Sequence, residues 1–72
     1  MKLNLKRLKA ERIAKGYTQE EMAEEMGWKS RASYVKRELG YIDIGVEDFV
    51  RIIGILGYDT KDISIFFDED VH

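Results

Sequence analysis

Residues 18 to 40, T-Q-E-E-M-A-E-E-M-G-W-K-S-R-A-S-Y-V-K-R-E-L-G, decide the fold of this 72-residue chain. Thr18 offers a hydroxyl acceptor at a helix start, and Glu21 stands three residues on, where its carboxylate can return to the cap residue's own N–H; together they form a capping box. Acidic side chains in that first turn suit the positive end of the helix. Met22, Ala23 and Met26 then recur at three- and four-residue spacing, which makes one buried stripe. Gly27 closes this helix after about two and a half turns. Ser30 is the N-cap expected for a second helix running to Leu39, with Gly40 as its terminator. Trp28 and Lys29 fall in the turn. Ala23 is small where the second helix must cross the first, and glycine lets the backbone reverse without a Cβ clash.

Outward from this stretch, the chain has no proline and carries apolar side chains at helical spacing, so the remaining segments also read as helices with short connections. The first covers about residues 3 to 15, with Leu5, Leu8, Arg12 and Ile13 near one face, and stops at Gly16. A fourth runs from about Val46 to Leu56, with Glu47 and Asp48 in its first turn and Phe49, Val50, Ile52, Ile53 and Leu56 forming a wide apolar face. Gly57 ends it. A fifth follows Thr60 and holds Ile63, Ile65, Phe66 and Phe67. The expected architecture is all-α: one compact five-helix domain over residues 1–67 and an acidic, disordered tail over 68–72.

Composition narrows the chemistry. There is no cysteine, and the single histidine is the last residue. Thiolate sites and disulfides are therefore out of reach, and Ser30 and Ser33 lack an internal general base. The chain reads as no enzyme, with no catalytic residue, no metal site, no cofactor and no small-molecule substrate. The glutamates at 20, 21, 24 and 25 are accounted for as a solvated helix face. M-K-L-N-L-K-R-L-K-A-E-R, the opening twelve residues, is interrupted by charge too often to serve as a signal peptide, and no later segment has the length to span a bilayer. A cytoplasmic protein without a membrane partner is expected. The net charge of −2 conceals an uneven distribution. Residues 1–16 hold six basic groups against one acidic, and residues 29–40 hold four against one, whereas the intervening and following segments are acidic. Two basic segments sharing a face would meet phosphate.

Two short helices on a glycine turn, crossed over a small residue, form the arrangement that inserts a helix into the major groove. Here the sequence resembles the Cro and repressor type of helix-turn-helix proteins, the XRE-like family. L-K-x-E-R-x-x-K-G-Y-T-Q-E-E-M-A-E-E-M-G is similar to the family's first two helices, and K-S-R-A-S-Y-V-K-R-E-L-G to its recognition helix and terminator. The resemblance implies a lambda-repressor-like DNA-binding domain and a small phage lysogeny-switch regulator. It implies that Gln19 meets a phosphate and that Arg12 pairs with Glu38 to tie the first helix to the third. A guanidinium and a carboxylate reaching inward must be paired if they are buried. On the recognition helix, Arg31, Ala32 and Ser33 are the family-equivalent residues for reaching base edges, with Lys36 one turn on. Arg31 can grip guanine bidentately. Lys29 and the hydroxyls of Ser30 and Ser33 suit phosphate contacts.

The chain departs from the family in three places. Its turn is one residue longer if Glu38 is the anchor. Tyr34 occupies an aliphatic core position while Arg37 falls where an apolar residue is usual, which puts Val35 on the outer face; either Arg37 snorkels or the register of the helix is shifted by one. The loop after the third helix, often basic in the family, reads Y-I-D-I-G and offers phosphate little. Two readings on this one fold stay open: a sequence-specific reader of double-stranded operator DNA, as a homodimer on a two-fold site, and an antirepressor that engages a cognate repressor through the same helices. Trp28, Val35, Ile65, Phe66 and Phe67 are the candidate oligomer or partner contacts, with Trp28 as a core plug and the Phe66–Phe67 pair as closure of the domain's bottom the alternative readings.

Overall fold

A computed structural model describes residues 2–68. It contains helices α1 (Leu5–Ala14), α2 (Gln19–Glu25), α3 (Arg31–Glu38) and α4 (Val46–Ile55), then a single 3-10 helix over Thr60–Phe66. A minimal antiparallel ladder joins β1 (Lys2–Leu3) to β2 (Phe67–Asp68), with Lys2 opposite Asp68 and Leu3 opposite Phe67. The fold is the all-α, five-helix arrangement that the apolar spacing predicts, closed by a two-residue strap between its ends.

The starts of α1, α2 and the 3-10 helix, and the ends of α2 and α3, fall where the chain supplies a partner for free backbone groups. Thr18 accepts the Glu21 N–H at 3.0 Å, and the Glu21 carboxylate accepts the Thr18 N–H at 2.9 Å. At the other end of α2, the Gly27 N–H donates to the Glu24 carbonyl and the Trp28 N–H to the Ala23 carbonyl. This double closure requires a left-handed residue between the two donors, and Gly27 provides it at φ +78°. The same device ends α3, where Tyr41 N–H reaches the Lys36 carbonyl at 2.8 Å across Gly40. A Cβ at Gly40 would also stand 3.1 Å from the Leu5 side chain, so that position is tight as well as left-handed.

Four expectations at the margins are corrected. Helix α1 starts at Leu5 rather than residue 3, because Asn4 caps it by accepting the Arg7 N–H at 2.9 Å and Leu3 is drawn into the ladder. Ile13 is 58% exposed and lies off the buried face. Five residues beyond Leu8 it is rotated by about 140°, whereas Arg12, four beyond, stays in line. The last helix is capped by Asp59, whose carboxylate accepts the Lys61 N–H at 2.8 Å, so Thr60 is its first residue; the turn is 3-10, and Phe67 has left it for β2. Asp68, assigned to the tail, pairs in the ladder and accepts a hydrogen bond from Asn4 Nδ2 at 3.0 Å. The rest of that tail, residues 69–72, lies outside the described residues.

The core is built from Leu8, Met22, Ala23, Met26, Tyr34, Phe49, Ile52, Ile53, Leu56 and Phe66. At one end it is aromatic: Phe49 meets Phe66 and Phe67 edge-on, each pair with ring centroids 5.6 Å apart, and Tyr58 meets Phe66 at 5.4 Å. These perpendicular contacts place the positive edge of one ring on the negative face of another. Phe66 has no exposed surface, which removes it from the candidate partner contacts: it closes the core from beneath. Ile65 and Phe67 are half-buried beside it.

Candidate nucleic-acid interface

Helix α3 lies across α2 with one face inward and one outward. Tyr34 and Glu38, four residues apart, point in. Lys29, Ser30, Ala32 and Lys36 are exposed away from that pair, Arg31 is exposed at the leading end of the same stripe as Tyr34 and Glu38, and Ser33 is half-buried. Three cations thus line the outer face or its approach, with no carboxylate among residues 29–37. Ser30 has the extended backbone of an N-cap, φ −131° and ψ 147°, but its side chain makes no capping hydrogen bond, contrary to the expected cap. The hydroxyl is left to outside partners.

Behind this face sits a buried polar knot. Arg12 of α1 donates to both oxygens of Glu38, from Nε at 2.9 Å and from Nη2 at 3.1 Å, and its Nη1 donates to the Tyr17 carbonyl at 2.7 Å. Tyr34 Oη donates to Glu38 at 2.6 Å. Both charged residues are nearly sealed, Arg12 at 6% and Glu38 at 5% exposure. A lone charge at that depth would cost several kcal/mol, and the bidentate pairing offsets it. Burial works against the Arg12 charge, yet its hydrogen bonds with Glu38 and that carboxylate's field prevail and hold its pKa above the ordinary value. Burial raises the Tyr34 phenol's pKa, and the hydrogen bond to Glu38 raises it further.

The knot continues outward through one residue. Gln19 Nε2 donates to Glu38 at 3.1 Å, and Gln19 Oε1 accepts from Arg31 Nη2 at 2.9 Å. A continuous chain therefore runs from the α1 guanidinium, through the α3 carboxylate and the α2 amide, to the exposed guanidinium that opens α3. Arg12, Gln19 and Arg31 line one open groove together with Tyr17 and Thr18. Arg31 is consequently held by one nitrogen, leaving Nε and Nη1 without a recorded acceptor among the described residues.

Of the residues singled out from the sequence, the structure brings Gln19, Lys29, Ser30, Arg31, Ala32, Ser33 and Lys36 to the outer side of α2 and α3, and puts Arg12 and Glu38 in hydrogen-bonding contact beneath them. Trp28 and Val35 are half-buried. Sequence reasoning missed the parts played by Tyr34 and by the Tyr17 carbonyl. The four-residue interval between Tyr34 and Glu38 was a usable signal for the first, since such pairs share a helix face. It also missed Arg51 of α4, whose Nη2 donates to the Met26 carbonyl at the end of α2 at 2.8 Å and so pins α4 to the turn.

Among the described residues no group of His, Cys, Asp or Glu is arranged to hold a metal ion, and no helix is long and apolar enough to cross a membrane. What fold and site define together is a helix-turn-helix domain. The family model for helix-turn-helix proteins matches residues 8–63, and the chain belongs to that XRE-type family of DNA-binding transcription regulators, which are not enzymes. No curated protein and no solved structure matches the chain significantly.

Proposed function

We propose that this protein is a sequence-specific, operator-binding regulator that reads the major groove with α3. The observation that carries the reading is the hydrogen-bonded chain from Arg12 through Glu38 and Gln19 to Arg31, which aims an exposed guanidinium from the leading turn of the helix. Arg31 then has its remaining donors for guanine O6 and N7, a bidentate contact worth about 1–3 kcal/mol of discrimination. Ala32 offers a methyl to thymine, and Lys36 reaches bases or backbone one turn further on. Lys29, Ser30 and Ser33 take phosphates and fix register. The free Nε2 hydrogen of Gln19 is available to a phosphate at the start of α2. A homodimer on a two-fold operator suits a single small reading head, since doubling the site doubles the information read. The family resemblance supports a cytoplasmic, prophage-type switch as its setting.

Affinity for a duplex selected from a random pool, measured against salt, tests the proposal. The logarithm of affinity should fall with the logarithm of salt by a slope near −0.9 per phosphate contacted. Affinity that is weak, independent of sequence and flat in salt, alongside tight binding to a repressor's DNA-binding domain, would overturn it in favour of a protein partner.

A further inference from the structure

Arg37 does not behave as a snorkelling surface cation. Its guanidinium lies over the Trp28 ring, 4.4 Å from the centroid, and its Nη1 donates to the Ser33 carbonyl at 2.7 Å. Its Nε is buried and has no partner among the described residues. Trp28 belongs to the turn that enters α3, and it packs against the core formed by Met22, Met26 and their neighbours. The contact therefore bridges the turn to the last turn of the recognition helix, one residue before Glu38.

We infer that Arg37 and Trp28 form a positioning clamp that sets the pitch of α3 against α2, and that Arg37 is a specificity-determining residue although it faces away from DNA. Three facts point the same way. Glu38 and Arg31 hold α3 through Arg12 and Gln19, but these contacts lie on one stripe of the helix and leave it free to tilt about that line. Arg37, adjacent to Glu38 in sequence and rotated by about 100°, supplies a second anchor on another side. In that contact a flat indole lies under a flat guanidinium, a stack that an aliphatic side chain would not make. Finally, an orphaned buried N–H is a cost, so this arginine contributes less to stability than its contacts suggest, which fits a side chain there for orientation. Lysine lacks both the planar face and the fork.

The inference rests on the reading of α3 as the recognition helix, and its test separates the two. Arg37→Met keeps length and apolar stem while removing the stack and the orphan, and Arg37→Lys keeps the charge. Two quantities are measured for wild type and both variants: amide exchange of Arg31–Glu38 in the free protein, and the ratio of affinities for a pool-selected duplex and a random duplex of equal length. Thermal midpoints are recorded alongside. The clamp predicts an Arg37→Met midpoint at or above wild type, α3 amides exchanging roughly three- to tenfold faster while α4 amides do not change, and a similar loss in the affinity ratio. Arg37→Lys should rescue neither. A wild-type protein that selects no sequence, with the exchange signature intact, would defeat the DNA-reading proposal and leave the clamp standing. Unchanged exchange and an unchanged ratio in Arg37→Met, or losses that merely follow a lowered midpoint, would overturn the clamp.

Discussion

Two regions of this small core are built on different physics. Under the outer face of α3, helices α1, α2 and α3 meet through Arg12, Glu38, Tyr34 and Gln19, a set of hydrogen bonds each tied to a donor, an acceptor and an angle. Elsewhere in the core, Phe49, Phe66, Phe67 and Tyr58 meet edge to face, and what holds the three phenylalanines is mostly area removed from water. Apolar packing tolerates a change of shape that keeps volume; a buried charge tolerates no loss of its partner. The polar knot thus fixes where α3 points, and the aromatic end supplies stability without comparable precision.

The sharpest way to break the contrast is a pair of shape-preserving substitutions. Glu38→Gln keeps nearly every atom but removes the charge facing Arg12, and should cost about 3–5 kcal/mol in urea unfolding. Phe66→Leu alters more atoms at the aromatic end and should cost about 1–2 kcal/mol. Equal costs would erase the distinction.

Tyr34→Phe comes between them, at about 1.5–3 kcal/mol for a hydrogen bond to a charged acceptor. It should also change the pH profile. The phenol's pKa is raised in the folded protein, so folding favours its protonated form; that contribution is complete below the ordinary value of 10.0 and is lost as pH climbs above it. Wild-type stability should therefore decline above about pH 10 more steeply than that of Tyr34→Phe, read from thermal midpoints across pH 8 to 11. Glu11 supplies an acidic counterpart. Hydrogen bonds from Tyr58 and then Arg7 lower its pKa, so its smaller contribution is present above the ordinary 4.5 and fades as pH falls below that. The smallest effect is at the start of α2, where Thr18→Ala removes one half of the capping box and should cost about 1 kcal/mol.

The same contrast governs what could be read from the sequence. Local signals were legible. Thr18 with Glu21 gave the start of α2, and Gly16, Gly27, Gly40 and Gly57 marked four helix ends, because each feature involves residues within a turn of one another. The long-range pairings were not. Nothing near Lys2 or Leu3 announces Asp68 and Phe67, and a two-residue ladder is too short to produce an alternating pattern. Family resemblance, not spacing, suggested Arg12 with Glu38. Ile13 was grouped with Leu8 and Arg12 on one face, and only the angle around the helix axis distinguishes it from Arg12. The outer face of α3 was legible as a row of candidates, but the sequence could not disclose that Gln19 lies between Glu38 and Arg31, or that Arg37 finds Trp28. Those contacts depend on how three helices cross.

In the proposed function, Arg31, aimed by the polar knot, reads sequence while Lys29 grips the backbone. Affinities of Arg31→Ala and Lys29→Ala for a selected duplex and for a random one test it most directly. Arg31→Ala should lose about 1–3 kcal/mol on the selected duplex and little on the random one, whereas Lys29→Ala should weaken both alike. Equal losses by both variants on both duplexes would contradict the account.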